Sequence, residues 1–87
     1  MMEFVLDGSA VSSRGDLHEA LARGLALPDW YGGNLDALFD CLTDLEETTF
    51  RITGTEALEA ALGPYAGRFF RVLRDAAAEN PRLHLVL

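Results

Sequence analysis

LPDWYGGNLDALFDCLTD, residues 27–44, is a loop that turns into a helix. Pro28 closes what precedes it, and Trp30, Tyr31 and the Gly32-Gly33 pair form an aromatic, small-residue loop. Asn34 suits an N-cap and predicts a helix over 34–44. Asp36, Asp40 and Asp44 recur on it at i, i+4 and i+8, so three carboxylates stack along one stripe. At about 100° per residue, Leu35, Leu38 and Leu42 fall on the opposite side. Phe39 and Thr43 lie on the border, with Cys41 between the acidic and apolar sides. Like charges four apart cost roughly 0.2–0.5 kcal/mol a pair. A helix built only to pack gains by exchanging one of these acids, so the stripe predicts a strongly basic partner.

The wider composition agrees. The chain has 87 residues, the size of one domain with one modest core. Its seven basic residues, all Arg, face fourteen acids, for a net charge of −7. That balance argues against nucleic acid or an anionic membrane as partner and favours fast encounter with a basic one. No basic residue lies between Arg23 and Arg51, where six of the fourteen acids sit. The single cysteine, Cys41, can form no internal disulfide, which points to a reducing cytoplasm. The N-terminal MMEFVLDGSAV has neither a basic n-region nor a long apolar run, so no signal peptide or spanning helix is expected.

Outward from the opening stretch, residues 3–7 (EFVLD) read as a strand closed by the Asp7-Gly8 turn. Ser13 and Asp16 resemble a capping box ahead of a helix over 14–26, with Leu17, Leu21 and Leu25 at helical spacing. TTFRIT, 48–53, alternates as a second strand. Thr55 caps a short helix over 56–62, and Gly63-Pro64 breaks it. A longer helix over 65–79 buries Phe69, Val72, Leu73 and Ala76, and Asn80-Pro81 stops it. RLHLVL, 82–87, is a nearly continuous apolar run, as in a strand buried on both faces. The order β-α-α-β-α-α-β predicts an α/β domain with crossover connections.

Catalysis finds little support. A nuclease needs a base, a second acid and cations for the phosphate. His18 reads as a helix-surface residue and His84 as a partly buried strand residue between Leu83 and Leu85. Gly32-Gly33 is too short for a phosphate loop and precedes acids. Carboxylates on one straight stripe rarely converge on a metal, so neither metal nor cofactor is expected. Acid neighbours should raise the Cys41 pKa and leave it a small packing residue. Arg68, Arg71 and Arg74 read as a solvated basic edge, with Arg71 placed to pair with Asp75.

The run Tyr31 to Thr43, with Gly32, Asn34, Leu35, Asp36, Ala37, Leu38, Asp40, Cys41 and Leu42, resembles the signature of the barstar family. These are intracellular inhibitors of barnase-type extracellular ribonucleases. DLHEALARGLALP, the Asp7-Gly8 strand end, LRDAAAE and the closing apolar strand extend the resemblance over essentially the whole chain. It implies a three-stranded parallel sheet packed with about four helices, no catalytic activity, and a monomer that binds a basic secreted ribonuclease one to one. It implies that the second helix and the loop before it plug the enzyme's active site, with carboxylates standing where RNA phosphates lie. Asp40 then meets the enzyme's Arg and His groups, Asp36 meets basic groups at the mouth, and Thr43 supplements them. Trp30 stands where the family usually has tyrosine and stacks on the catalytic histidine. Tyr31, Asn34, Leu35, Phe39 and Asp44 complete the contact surface, and Asp75 adds a peripheral acid where the family has glutamate. Phe39 stands in place of a tryptophan and Asp44 in place of a glycine. The rival reading is an interaction domain that turns the same acidic helix to another basic protein. A third, weaker reading is an acidic enzyme that uses Asp36 or Asp40.

Overall fold

The computed structural model describes residues 2–87. Three strands, β1 (Met2–Asp7), β2 (Thr48–Thr53) and β3 (Leu83–Val86), form one sheet in the order β1-β2-β3. Both pairings are parallel, with Phe4 opposite Phe50 and Phe50 opposite Leu85. Helices α1 (Arg14–Gly24) and α2 (Leu35–Thr43) connect β1 to β2. Helices α3 (Thr55–Leu62) and α4 (Pro64–Glu79) connect β2 to β3. This is the α/β architecture expected from the element order.

Strand alternation sets the layers. Leu6, Phe50, Ile52 and Leu83 point inward and are buried, while Glu3, Val5, Asp7, Arg51, Thr53, His84 and Val86 point outward and are exposed. The helices therefore cover one face of the sheet and the other faces solvent. This corrects the expectation for 82–87. β3 is an edge strand with alternating burial, not a strand buried on both faces. His84 is exposed and hydrogen-bonds Glu47, so the expectation of partial burial fails too. A period of two on an edge strand needs only one dry face.

Local chemistry explains the joints. Gly8 packs so closely on Gly54 that a Cβ at Gly8 would lie 2.3 Å from the Gly54 carbonyl oxygen. Ser13 caps α1 by accepting from the Asp16 amide at 3.1 Å. The Asp16 carboxylate reaches back to the Ser12 amide and hydroxyl, not to Ser13 as a full capping box requires. Thr55 is the first residue of α3 and not its cap; Gly54, left-handed at φ 63°, precedes it with no side-chain cap bond. Pro64 opens α4, where its missing N–H costs nothing.

α1 ends in a Schellman arrangement, two residues earlier than expected. Leu27 N–H donates to the Ala22 carbonyl at 3.0 Å across Ala26, which is held at φ 51°. Glycine is the usual residue there, because Cβ meets the following carbonyl in the left-handed region. Ala26→Gly is therefore expected to stabilise the fold by about 1 kcal/mol, a rise of about 4–8 °C in melting temperature. Thermal unfolding by circular dichroism reads this directly, and a lower melting point would contradict it.

The core lies between the inner sheet face and the helices. Leu17, Leu21, Leu38, Leu42, Phe50 and Phe69 have no exposed surface. Burial of Leu38 and Leu42 is worth roughly 1.5–3 kcal/mol each. That exceeds the ~1 kcal/mol upper bound for repulsion within the acid row of α2. The dry side of α2 therefore holds the helix in place despite its charges.

Candidate partner-docking site

α2 is shorter than the sequence suggests and is capped at both ends. Asn34 accepts from the Ala37 amide at 2.8 Å, and Asp44 forms the C-cap. Asp36 stands in the first turn, where the helix dipole favours an acid, and Asp44 at the end, where it does not. The carboxylates of Asp36, Asp40 and Asp44 are exposed and make no ion pair or side-chain hydrogen bond among the described residues. The Thr43 hydroxyl donates to the Asp40 carbonyl at 3.0 Å. Leu35 and Phe39 are half-buried at the margin of the core. Trp30 is 62% exposed, a large apolar ring held out in solvent just before the acid row.

The sequence-named residues thus divide. Trp30, Asn34, Asp36, Asp40 and Asp44 are exposed on one continuous stretch, with Leu35, Phe39 and Thr43 half-buried within it. Asp75 is exposed on α4, the helix that packs against α2. It makes no ion pair with Arg71. Tyr31 points inward instead. It is half-buried, and its phenol hydrogen-bonds His18 Nδ1.

That bond exposes a residue misread from the sequence. His18 is only 6% exposed, not a helix-surface residue. Its Nε2 lies 2.7 Å from the hydroxyl of Tyr65 on α4, so the ring bridges two phenols. A neutral imidazole donates through one nitrogen and accepts through the other, which satisfies both. The signal was present: His18, Leu21 and Leu25 stand at i, i+3 and i+7, on the stripe that faces the core. Asn80 was likewise read only as a helix stop. It is buried, and its amide donates to the Leu42 and Leu45 carbonyls at 2.9 and 3.0 Å. The candidate docking stretch is therefore tied down at both ends, through Tyr31–His18 before α2 and through Asn80 after it.

Burial holds the His18 pKa below its ordinary 6.5. The unfolded chain takes up this proton near 6.5 and the folded chain only lower, so stability rises with pH between the two values. The stabilising contribution is fully present above about 6.5 and is lost as pH falls through the folded value. His18→Gln is expected to flatten the fall in urea midpoint between about pH 7.5 and 5.5. Equal slopes in the two proteins would contradict it. Burial also raises the Tyr31 phenol and, first, the Cys41 thiol, with Asp40 and Asp44 adding to the latter. Cys41 is buried, as a packing role requires.

Among the described residues no three His, Cys, Asp or Glu side chains come together to hold a metal. No helix there is long and apolar enough to cross a membrane.

The family model described as "Barstar (barnase inhibitor)" matches residues 1–87. The chain is similar to a protein of Bacillus subtilis (strain 168) named "Putative ribonuclease inhibitor YrdF". The two are 36% identical over 81 residues, covering 91% of this chain and 89% of the relative.

Proposed function

The chain belongs to the barstar family, whose proteins are inhibitors and not enzymes, and from that premise we propose that it inhibits a small, basic, secreted ribonuclease by plugging its active site. One observation carries the reading. Three carboxylates stand exposed along α2 and its C-cap with no partner among the described residues, on a helix fixed at both ends. Arg forks grip carboxylate and phosphate with the same two-pronged geometry, so a fixed carboxylate row mimics an RNA backbone. Asp40 takes the central phosphate position, with Asp36 and Asp44 beside it and Thr43 at the margin. Trp30 stacks on the enzyme's catalytic histidine, while Asn34, Leu35 and Phe39 fill the rim. Tyr31 holds the loop in place from within, and Asp75 adds a peripheral acid.

The net charge of −7 draws a cationic enzyme in quickly and makes the encounter salt-sensitive. Holding the row on a packed helix keeps the ordering cost of binding low. The inhibitor acts in the cytoplasm of the producing bacterium and forms a one-to-one complex. The test is titration into RNA cleavage by a small basic ribonuclease encoded in the same genome. Complete inhibition at one equivalent is expected. Full activity at large excess sinks the reading.

A further inference from the structure

Beside the acid row lies a groove of opposite charge. It has a volume of about 580 Å³, and Arg14 of α1 and Arg68 and Arg71 of α4 line it. None of the three makes an ion pair among the described residues, where the pairs are Glu19–Arg23, Glu3–Arg51 and Glu47–His84. Arg14 and Arg68 are held instead over the ring of Tyr65, at 4.2 and 5.2 Å from its centroid. That ring is itself anchored, through its hydroxyl, to His18. Cation–π contact orients a guanidinium without neutralising it. Three of the seven basic residues of an acidic chain thus converge on one concavity, unpaired among the described residues, with Asp36 as the one acid in its lining.

The far wall of the groove is made by Asn34, Leu35 and Asp36. A body seated on α2 therefore covers its mouth. A uniformly basic partner would be repelled there, because like charges across an interface are costly. Free nucleic acid is disfavoured by the charge of the whole chain. The ligand that fits three guanidinium forks next to a cation-seeking row is a carboxylate on the same partner.

We infer that the groove formed by Arg14, Arg68 and Arg71 receives an acidic side chain of the ribonuclease docked on α2, and selects for enzymes that carry an acid beside their phosphate site. The inference rests on the inhibitor reading and adds the partner's chemistry to it. The contact is a second, inverted charge match, so it governs which enzyme is accepted more than how fast one arrives.

The sign of one measurement decides. Replacing all three arginines by glutamine makes the chain more acidic. If the groove is only a solvated edge, long-range steering then improves, and association with a basic enzyme becomes faster and tighter. If it receives a carboxylate, affinity falls. The experiment measures binding kinetics of the whole chain with the basic ribonuclease encoded in the same genome. The Arg14→Gln/Arg68→Gln/Arg71→Gln variant is expected to bind at least about tenfold more weakly, mainly through faster dissociation. The corresponding lysine triple, which keeps charge but loses the fork, falls between. Arg71→Gln alone, at a residue not stacked on Tyr65, weakens binding severalfold and tests the same point if the triple variant folds poorly. Unchanged or tighter binding by Arg71→Gln and by a folded glutamine triple overturns the inference. Asp40→Ala, run in parallel, separates the failures. If it weakens binding and the arginine variants do not, only the groove assignment falls. If it too leaves binding unchanged, the docking reading fails and the groove assignment with it.

Discussion

Asp40→Ala is expected to weaken inhibition of the ribonuclease by about two to three orders of magnitude while leaving the free protein as stable as before, or slightly more so. Two separate physical terms give these opposite signs. In the free protein the Asp40 carboxylate is exposed, with no ion pair or side-chain hydrogen bond among the described residues. Its removal leaves nothing unpaired, relieves repulsion with Asp36 and Asp44 of roughly 0.2–0.5 kcal/mol each, and brings in the best helix former. In the proposed complex the same group would be desolvated against guanidinium and imidazolium groups. Removing one member of a buried charge pair costs about 3–5 kcal/mol, because the partner charge stays buried and alone. At ~1.4 kcal/mol per factor of ten, that is a loss of at least about a hundredfold. Glu59→Ala, at an exposed position of α3, supplies the control, since it alters net charge equally but lies outside the proposed docking stretch. Its effect should be confined to the association rate and should fade with salt. Titrated RNA cleavage and unfolding curves on the two variants check both halves. Equal loss from Asp40→Ala and Glu59→Ala would remove α2 from the interface.

The strand and helix framework was readable because each element has one strong period. Leu17, Leu21 and Leu25 on α1 and the alternation of Thr48, Phe50 and Ile52 on β2 leave little choice of buried face. The exposure of the acid row was readable for the complementary reason: charges repeated at helical spacing cannot be packed away. What escaped was polar and buried. His18 and Asn80 are residue types usually found outside, and their burial depends on partners distant in sequence, Tyr65 in one case and the Leu42 and Leu45 carbonyls in the other. Composition gives no view of such partners. Position on the stripe does, since Tyr65, Phe69, Leu73, Ala76 and Asn80 run down one side of α4. The arginine groove escaped for a related reason. Arg14 lies far in sequence from Arg68 and Arg71, and only the packing of the helices brings them to one concavity. β3 was misjudged because an apolar run states that a strand is dry, not how many of its faces are.

Asn80→Ala should show the inverse profile to Asp40→Ala: a large loss of stability with a small loss of affinity in the protein that remains folded. Asn80 is 3% exposed. It joins the end of α2 to the entry of β3, donating to Leu42 and Leu45 carbonyls and accepting from the Arg82 amide at 3.0 Å. Alanine leaves the Leu45 carbonyl and the Arg82 amide short of partners. The Leu42 carbonyl keeps the Asp44 amide that already bonds it. Both lost bonds are only partly buried, so each orphaned group costs near the low end of about 1–3 kcal/mol, and the sum is about 2–4 kcal/mol out of the ~5–15 kcal/mol that holds a domain together. For a chain of this size that lowers the melting temperature by about 10 °C or more. Asp36 lies nearly two turns from the lost clamp and next to the intact Asn34 cap, and Asp40 lies about half a turn from the Leu42 carbonyl, which keeps a partner. Inhibition measured well below the melting point should therefore fall by less than about tenfold. Asn80→Asp sharpens the test. It keeps the acceptor for Arg82 but turns a negative oxygen toward two carbonyls, so it should be worse than alanine at neutral pH. Protonation restores a donor, so the aspartate variant should regain part of its deficit relative to alanine in acid. A melting temperature unchanged by Asn80→Ala would show that the end of α2 is held by its leucines alone.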